Sequence, residues 1–118
     1  MRLKDSVGVY GERVAVAYLQ ETGFVVLARN WRCDIGEIDI VALDGATVVV
    51  CEVKTRSALG FGSGLEAVTP RKLARLHRLA RRWRDETGRA TTDLRVDVIA
   101  VHCRPAGEPQ VVHVRGAQ

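Results

Sequence analysis

Gly36-Glu37-Ile38-Asp39-Ile40-Val41-Ala42-Leu43, then Asp44-Gly45, then Ala46-Thr47-Val48-Val49-Val50-Cys51-Glu52-Val53-Lys54: the reading of this stretch decides the fold. Two apolar runs rich in β-branched residues flank an Asp-Gly pair, a strong short-range hairpin signal. Each run carries charge where a buried strand should carry none. Asp39 sits inside the first run, and Glu52 and Lys54 end the second. With Asp44 and Gly45 as a two-residue turn, Leu43 pairs with Ala46, and Asp39 lies opposite Val50. Side chains alternate with period two, so Glu52 and Lys54 share the face of Asp39. A diagonal pair has its Cβ atoms roughly 7 Å apart, close enough for both carboxylates to reach one ion. At ~4 Å they repel by about 4 kcal/mol at an effective dielectric of about 20, which a divalent cation or a proton relieves. Glu37, opposite Glu52 in this register, adds to the crowding. A three-residue turn would put Asp39 and Glu52 on opposite faces, and a frayed strand end with hydrated charges is the competing reading.

The rest of the composition bounds what such a hairpin can belong to. A chain of 118 residues has room for a single domain with one core. With 47% hydrophobic and 27% charged residues it reads as globular rather than disordered. No apolar run is long enough to span a membrane, and the first residues lack the apolar core of a signal peptide. Cys33, Cys51 and Cys103 are dispersed, with no Cys-x-x-Cys, which argues against zinc and against a disulfide framework. A reduced, cytoplasmic setting is expected. A net charge of +4 permits a nucleic-acid partner without demanding one.

Outward from the hairpin, Asp5 or Ser6 can cap a first helix that Gly23 ends as a left-handed residue. Val7, Tyr10, Val14 and Tyr18 recur at helical spacing and are expected to face the core. Glu12 is set among Ala15, Val16 and Leu19 at helical offsets, so it needs a partner, a proton or a metal. On the helix alone, a rim glutamate reaching solvent is the plainer reading. Phe24 to Ala28 reads as a short strand, and Arg29 to Asp34 as a polar connector holding Trp31. Beyond Lys54, Gly60, Gly62 and Gly64 lack the spacing of a phosphate-binding loop and read as a mobile loop beside the site.

Thr69-Pro70 opens a second helix as N-cap and first residue, and Gly88 closes it. Leu73, Leu76, Ala80 and Trp83 form its buried stripe. Arg71, Arg75, Arg78 and Arg82 form a second stripe that points away. Such a face is usually just solvated, but four arginines without interleaved acids favour phosphate contact. Lys72 falls on the side of Leu76 and Leu79 and so points inward, unless it snorkels. Leu94 to Cys103 is a strand interrupted by Asp97, Arg104 to Pro109 a turn, and Gln110 to Val114 an edge strand. The tail beyond reads as disordered. His77, His102 and His113 show no ligand spacing.

The order helix, strand, hairpin, helix, strand, carrying Glu12, Asp39, Glu52-x-Lys54 and Lys72, resembles the PD-(D/E)xK nuclease superfamily. Within it the chain is most similar to the YraN-like bacterial family and to archaeal Holliday-junction resolvases. The residues that carry the resemblance are Gly11-Glu12, Asn30, Gly36-Glu37-Ile38-Asp39, Glu52-Val53-Lys54-Thr55-Arg56, Phe61-Gly62, Lys72 and Asp97-Val98-Ile99. It implies an α/β, restriction-endonuclease-like αβββαβ core spanning residues 1–118. It further implies that Asp39, Glu52 and the carbonyl of Val53 ligate Mg²⁺ or Mn²⁺, with Glu12 completing the site. Lys54 would orient the attacking water and stabilise phosphorane charge, and Lys72 would sit near the scissile phosphate. DNA is the implied partner, with Arg56, Arg71, Arg75, Arg78 and Arg82 along its path.

The expected activity is metal-dependent hydrolysis of phosphodiesters in branched or non-duplex DNA. The alternative is a nucleic-acid-binding module of a repair or recombination assembly with weak or no catalysis. Junction resolvases work as symmetric dimers because their substrate has two strands to cut, so the analogy extends to a homodimer.

Overall fold

The computed structural model describes residues 6–56, 68–90 and 93–118. In chain order these form α1 (Ser6–Glu21), β1 (Val25–Arg32), β2 (Glu37–Asp44), β3 (Thr47–Arg56), α2 (Pro70–Thr87), β4 (Leu94–His102) and β5 (Gln110–Val114). The strands make one five-stranded sheet in the order β1-β2-β3-β4-β5. All neighbours are antiparallel except β3 and β4, which run parallel. A parallel pair needs a crossover, and α2 lies in it. The mixed α/β sheet flanked by helices is the architecture expected. The Asp5 cap, the glycine loop at 60–64 and the Phe61-Gly62 pair lie outside the described residues.

Alternation along the central strands divides the core in two. Val48 and Val50 of β3, with Val41 and Val96, pack under Leu73, Leu76, Leu79, Ala80 and Trp83 of α2. Val49 and Cys51, with Ile40, Ala42, Ile99 and Val101, pack under Ala15, Leu19 and Phe24 from α1 and its C-terminal end. The α2 stripe is the one expected, enlarged by Leu79. Thr69 caps that helix by accepting from the Lys72 N–H at 3.2 Å, and Gly88 ends it at φ 70°.

The α1 face departs from expectation by about one residue of rotation. Its buried residues are Gly11, Glu12, Ala15 and Leu19, whereas Val7 and Tyr10 are exposed and Val14 and Tyr18 half-buried. Valines at 7, 9, 14 and 16 leave this helix apolar on several sides, so periodicity alone did not single out a face. Gly11 decides it. A Cβ there would lie 1.8 Å from Thr55 Oγ1, so only glycine lets the helix backbone settle on β3.

Two further expectations are corrected. The polar connector Arg29–Asp34 is mostly strand: β1 continues to Arg32, through a register shift between Val26 and Ala28 and through Asn30 at φ 53°. Asparagine tolerates that left-handed conformation better than most side chains do. The tail is not loose. Ala117 donates its N–H to the Val96 carbonyl at 2.8 Å, and Gly116 donates to Asp97 Oδ1 at 3.0 Å.

Candidate active site

The hairpin turn sets the site. Asp44 pairs with Thr47, so the turn residues are Gly45 and Ala46, one place beyond the Asp-Gly expected. Gly45 has φ 61°, and Ala46 is not among the positive-φ residues. That is the pattern of a type II′ turn, with glycine at its first central position. The register therefore moves by two: Val50 pairs with Val41 rather than with Asp39. A shift of two preserves the alternation of β3, so Glu52 and Lys54 keep the parity of Val48 and Val50, on the face covered by α2. In β2 the alternation breaks at Asp39, since Ile38 and Val41 both pack under α2 and Ile40 packs on the other face. The ladder ends at the Ile40–Cys51 pair. Just beyond it, Asp39 Oδ2 accepts the Val53 N–H at 2.9 Å. The Asp39 side chain thus replaces a backbone partner where the strands part.

Glu52 lies against Asp39. Burial first, then the hydrogen bond and the charge of Asp39, push the Glu52 carboxyl up to about 7, against the pull of Lys72 and Lys54. Lys72 Nζ stands 3.1 Å from Glu52 Oε2, so the first turn of α2 does aim its lysine inward. The two lysines then differ. For Lys54, burial and the adjacent Lys72 pull the ammonium pKa below its ordinary value. For Lys72 burial also pulls down, but the Lys54 hydrogen bond and the Glu52 carboxylate outweigh it, and the pKa is raised. Lys72 is the fixed cation of the pair, and Lys54 the amine that gives up its proton more readily.

Glu12 is buried, 4% exposed, on α1, next to Gly11, which lies against Thr55 of β3. Among the described residues, no three His, Cys, Asp or Glu side chains converge as a metal-binding group. Glu37 is not opposite Glu52. It pairs with Arg32 across β1, and the two side chains approach to 3.7 Å. Arg71, Arg75 and Arg78 are exposed along α2, but Arg82 is engaged by Asp34 and Glu86. Asp34 comes from the β1–β2 turn, so acids that the helix pattern did not reveal do partner this stripe. Arg56 is half-buried at the end of β3, its carbonyl accepting the Cys103 N–H at 2.9 Å.

Sequence reasoning missed one polar cluster altogether. Asp97 is fully buried under the α1 face, where Arg95 Nε, His113 Nε2 and the Gly116 N–H all reach its carboxylate within 3.0 Å. Burial alone would raise this carboxyl. The bonds from His113, Arg95 and Gly116 instead hold it down to about 2. Tyr18 closes the chain of contacts, its hydroxyl 2.8 Å from His113 Nδ1. Arg95 also reaches Asp44 at 2.9 Å. The available signal was Arg95 and Asp97 two apart, on one face of a strand that is otherwise mostly apolar.

Asp39 and Glu52 present crowded carboxylate oxygens at the end of a cleft, which suits a hard divalent cation. Mg²⁺ in particular takes one or two carboxylates and keeps several waters. The residues present therefore fit such an ion. A model of the uncharacterised protein family UPF0102 matches residues 11–101. The chain belongs to that family. UPF0102 proteins of Beutenbergia cavernae and Kineococcus radiotolerans are 54% and 55% identical to it, with 98% of this chain covered in each case and 98% and 96% of theirs. Among solved structures, this UPF0102 chain is similar to Hjc, a Holliday junction resolvase of Archaeoglobus fulgidus, at 22% identity and TM-score 0.47, covering 89% of this chain and 75% of that one. It is also similar to a chain of an EndoMS–dsDNA complex, at 19% identity and TM-score 0.45, covering 81% and 36% respectively. No helix among the described residues is long and apolar enough to cross a membrane.

Proposed function

We propose that this UPF0102 protein is a metal-dependent DNA endonuclease that hydrolyses phosphodiesters in branched or non-duplex DNA. The carrying observation is the contact set at the open end of the hairpin: Asp39 against Glu52 and the Val53 N–H, with Lys72 3.1 Å from Glu52. Asp39 and Glu52 would hold Mg²⁺ or Mn²⁺, with the Val53 carbonyl and Glu12 as the further oxygens that the PD-(D/E)xK resemblance implies. When bound, the ion supplies Lewis-acid polarisation of the phosphodiester.

The protein's own groups do the rest. Lys72, which keeps its proton, binds a phosphate oxygen and stabilises charge that develops there. Lys54, whose ammonium is disfavoured, is matched to orient a water and hold its proton. Arg71, Arg75 and Arg78 extend the positive surface along α2, where a backbone would run. Among the described residues, the exposed face of α2 carries arginines suited to phosphates rather than a set shaped for base edges, so selection by DNA structure is expected rather than by sequence.

One observation favours a second reading. Lys72 pairs with Glu52 at 3.1 Å, a contact that would serve equally in a binding module that does not cut. One incubation series separates the two. Duplex, single-stranded, flapped and four-way DNA are each incubated with Mg²⁺, Mn²⁺ or EDTA, using wild type and Glu52→Gln in parallel. The nuclease reading requires cation-dependent cuts that the variant loses. Binding by both proteins without cuts from either transfers the assignment to the module within a repair or recombination assembly.

A further inference from the structure

Beside the carboxylates, the space between the β1–β2 turn and α2 opens into a cleft of about 390 Å³. That volume is at the small end of the range for sites that enclose a small organic group. Its walls come from two elements. The turn contributes Arg32, Cys33 and Gly36, tightened by the Cys33 N–H bond to the Gly36 carbonyl at 2.9 Å. The helix contributes Arg75, Leu76 and Leu79. One end of the cleft reaches Glu52 and Lys72, so whatever fills it adjoins the cleaved bond.

The lining combines an apolar floor, cationic groups and two carboxylates, Glu37 and Glu52. Leu76 and Leu79 are 3% and 1% exposed and supply an apolar floor. Gly36 keeps that floor open, since a Cβ there would come within 3.6 Å of both Arg75 and Leu79. Arg32 and Arg75 stand at the rim, the Arg32 side chain 38% exposed and 3.7 Å from Glu37. A phosphate gains nothing from leucines, and a purely apolar ligand gains nothing from guanidinium groups. A nucleobase has a flat apolar face that suits the floor and over which a guanidinium plane can stack. The phosphates flanking that base would meet the rim arginines. In an intact duplex every base is stacked and paired, and none can enter.

We propose that this cleft takes one unpaired nucleotide flanking the scissile phosphodiester, and that this is the basis of discrimination between DNA structures. The proposal rests on the endonuclease reading and names the substrate feature which that reading leaves open. Arg32, Cys33 and Gly36 become specificity-determining residues, lying just before Asp39 in sequence and lining the same cleft as Glu52.

The test is a binding experiment in EDTA, with cleavage followed in parallel. One duplex carries a single bulged 2-aminopurine, and the control duplex is the same sequence fully paired. The Cβ of Gly36→Val would meet Arg75 and Leu79 at ordinary van der Waals distance, at a residue whose φ is not positive, and its two methyl groups reach further into the cleft. The substitution should weaken binding of the bulged duplex by about tenfold or more, as loss of one stacked base does, and leave the paired duplex unchanged. Cys33 gives a second readout that needs no change in the cleft. In a Cys103→Ser background, with Cys51 buried, maleimide labelling of Cys33 should be slowed by the bulged duplex and not by the paired one. Equal binding of both duplexes by wild type, or unprotected Cys33 with bound bulged DNA, overturns the cleft assignment even if cutting persists. The predicted binding pattern without any cutting keeps the cleft and overturns the endonuclease. No binding of either DNA overturns both.

Discussion

Replacing Glu52 by Gln in cation-free buffer should make the protein more stable at pH 8, although it removes a residue assigned to the active site. Burial, then the hydrogen bond and charge of Asp39, carry the Glu52 carboxyl from 4.5 to about 7. At ~1.4 kcal/mol per pKa unit, ionising it costs the folded state on the order of 3 kcal/mol. The folded-state value is raised, so the folded chain holds the proton more tightly than the unfolded chain does. Below pH 4.5 both states are protonated and the cost is absent. Between pH 4.5 and about 7 the unfolded chain ionises first, and stability declines as pH rises. Above that range the loss is complete. Gln is neutral throughout and nearly isosteric with the protonated acid. The stability difference, variant minus wild type, should be small at pH 4.5 and grow to about 3 kcal/mol by pH 8, or roughly 10 °C in Tm for a chain of this size. Urea unfolding in EDTA, followed by the fluorescence of buried Trp83, measures it at half-unit pH steps. Titrating groups away from Glu52 are common to both proteins and cancel, and its neighbours Lys54 and Lys72 have ordinary values above this pH range. Adding Mg²⁺ should stabilise wild type and not the variant. A difference that stays flat with pH, or a wild type more stable at pH 8, would refute the strained carboxylate pair.

Gly11→Ala opposes two effects of known sign: helix propensity favours alanine by about 1 kcal/mol, while the overlap with Thr55 costs ~1–3 kcal/mol. Net destabilisation in chemical denaturation is expected, and net stabilisation would mean that α1 does not sit on β3 as described. Asp97→Asn breaks a buried charge cluster and should cost about 3–5 kcal/mol. In wild type the Asp97 carboxyl, held at about 2 against an ordinary 3.8, contributes stability that is present above pH 3.8 and lost as pH falls towards 2. Acid unfolding of the Asn variant should lack that step of about 2 kcal/mol. Among the α2 arginines, Arg75→Gln and Arg78→Gln should each lower the slope of log K against log salt for DNA by about one. Arg82→Gln should change it less, because Asp34 and Glu86 already hold that guanidinium. Equal slopes for all three would remove the distinction.

The parts of this fold legible in the sequence depend on alternation and on end signals. In β3, parity survived an error of two in the hairpin register, because alternation of faces is insensitive to even shifts. Thr69-Pro70 and Gly88 marked α2 to the residue, since N-cap geometry and a left-handed terminus each demand particular side chains. Lys72 was legible as inward-facing because its flanking leucines fixed the buried side. The α1 face was not, because a helix apolar on several sides has no single stripe and the deciding residue, Gly11, is silent in a hydrophobicity pattern. The partners of Asp97 were illegible for another reason. His113 lies 16 residues away and meets Tyr18 across a separation of 95, contacts that exist only once the sheet is assembled.

That assembly has a consequence for synthesis on the ribosome. Asp97 enters the interior on β4, but His113 and Gly116, which with Arg95 compensate its charge, are translated later. A nascent chain that ends between them would have to bury a carboxylate held by Arg95 alone, at a cost of up to about 3–5 kcal/mol, a large part of the stability of a small domain. The parallel β3–β4 pair at the centre of the sheet therefore waits for β5 and the turn after it. Folding during translation becomes a late and concerted event rather than a stepwise one, and a product truncated before residue 113 remains an open chain exposed to proteases.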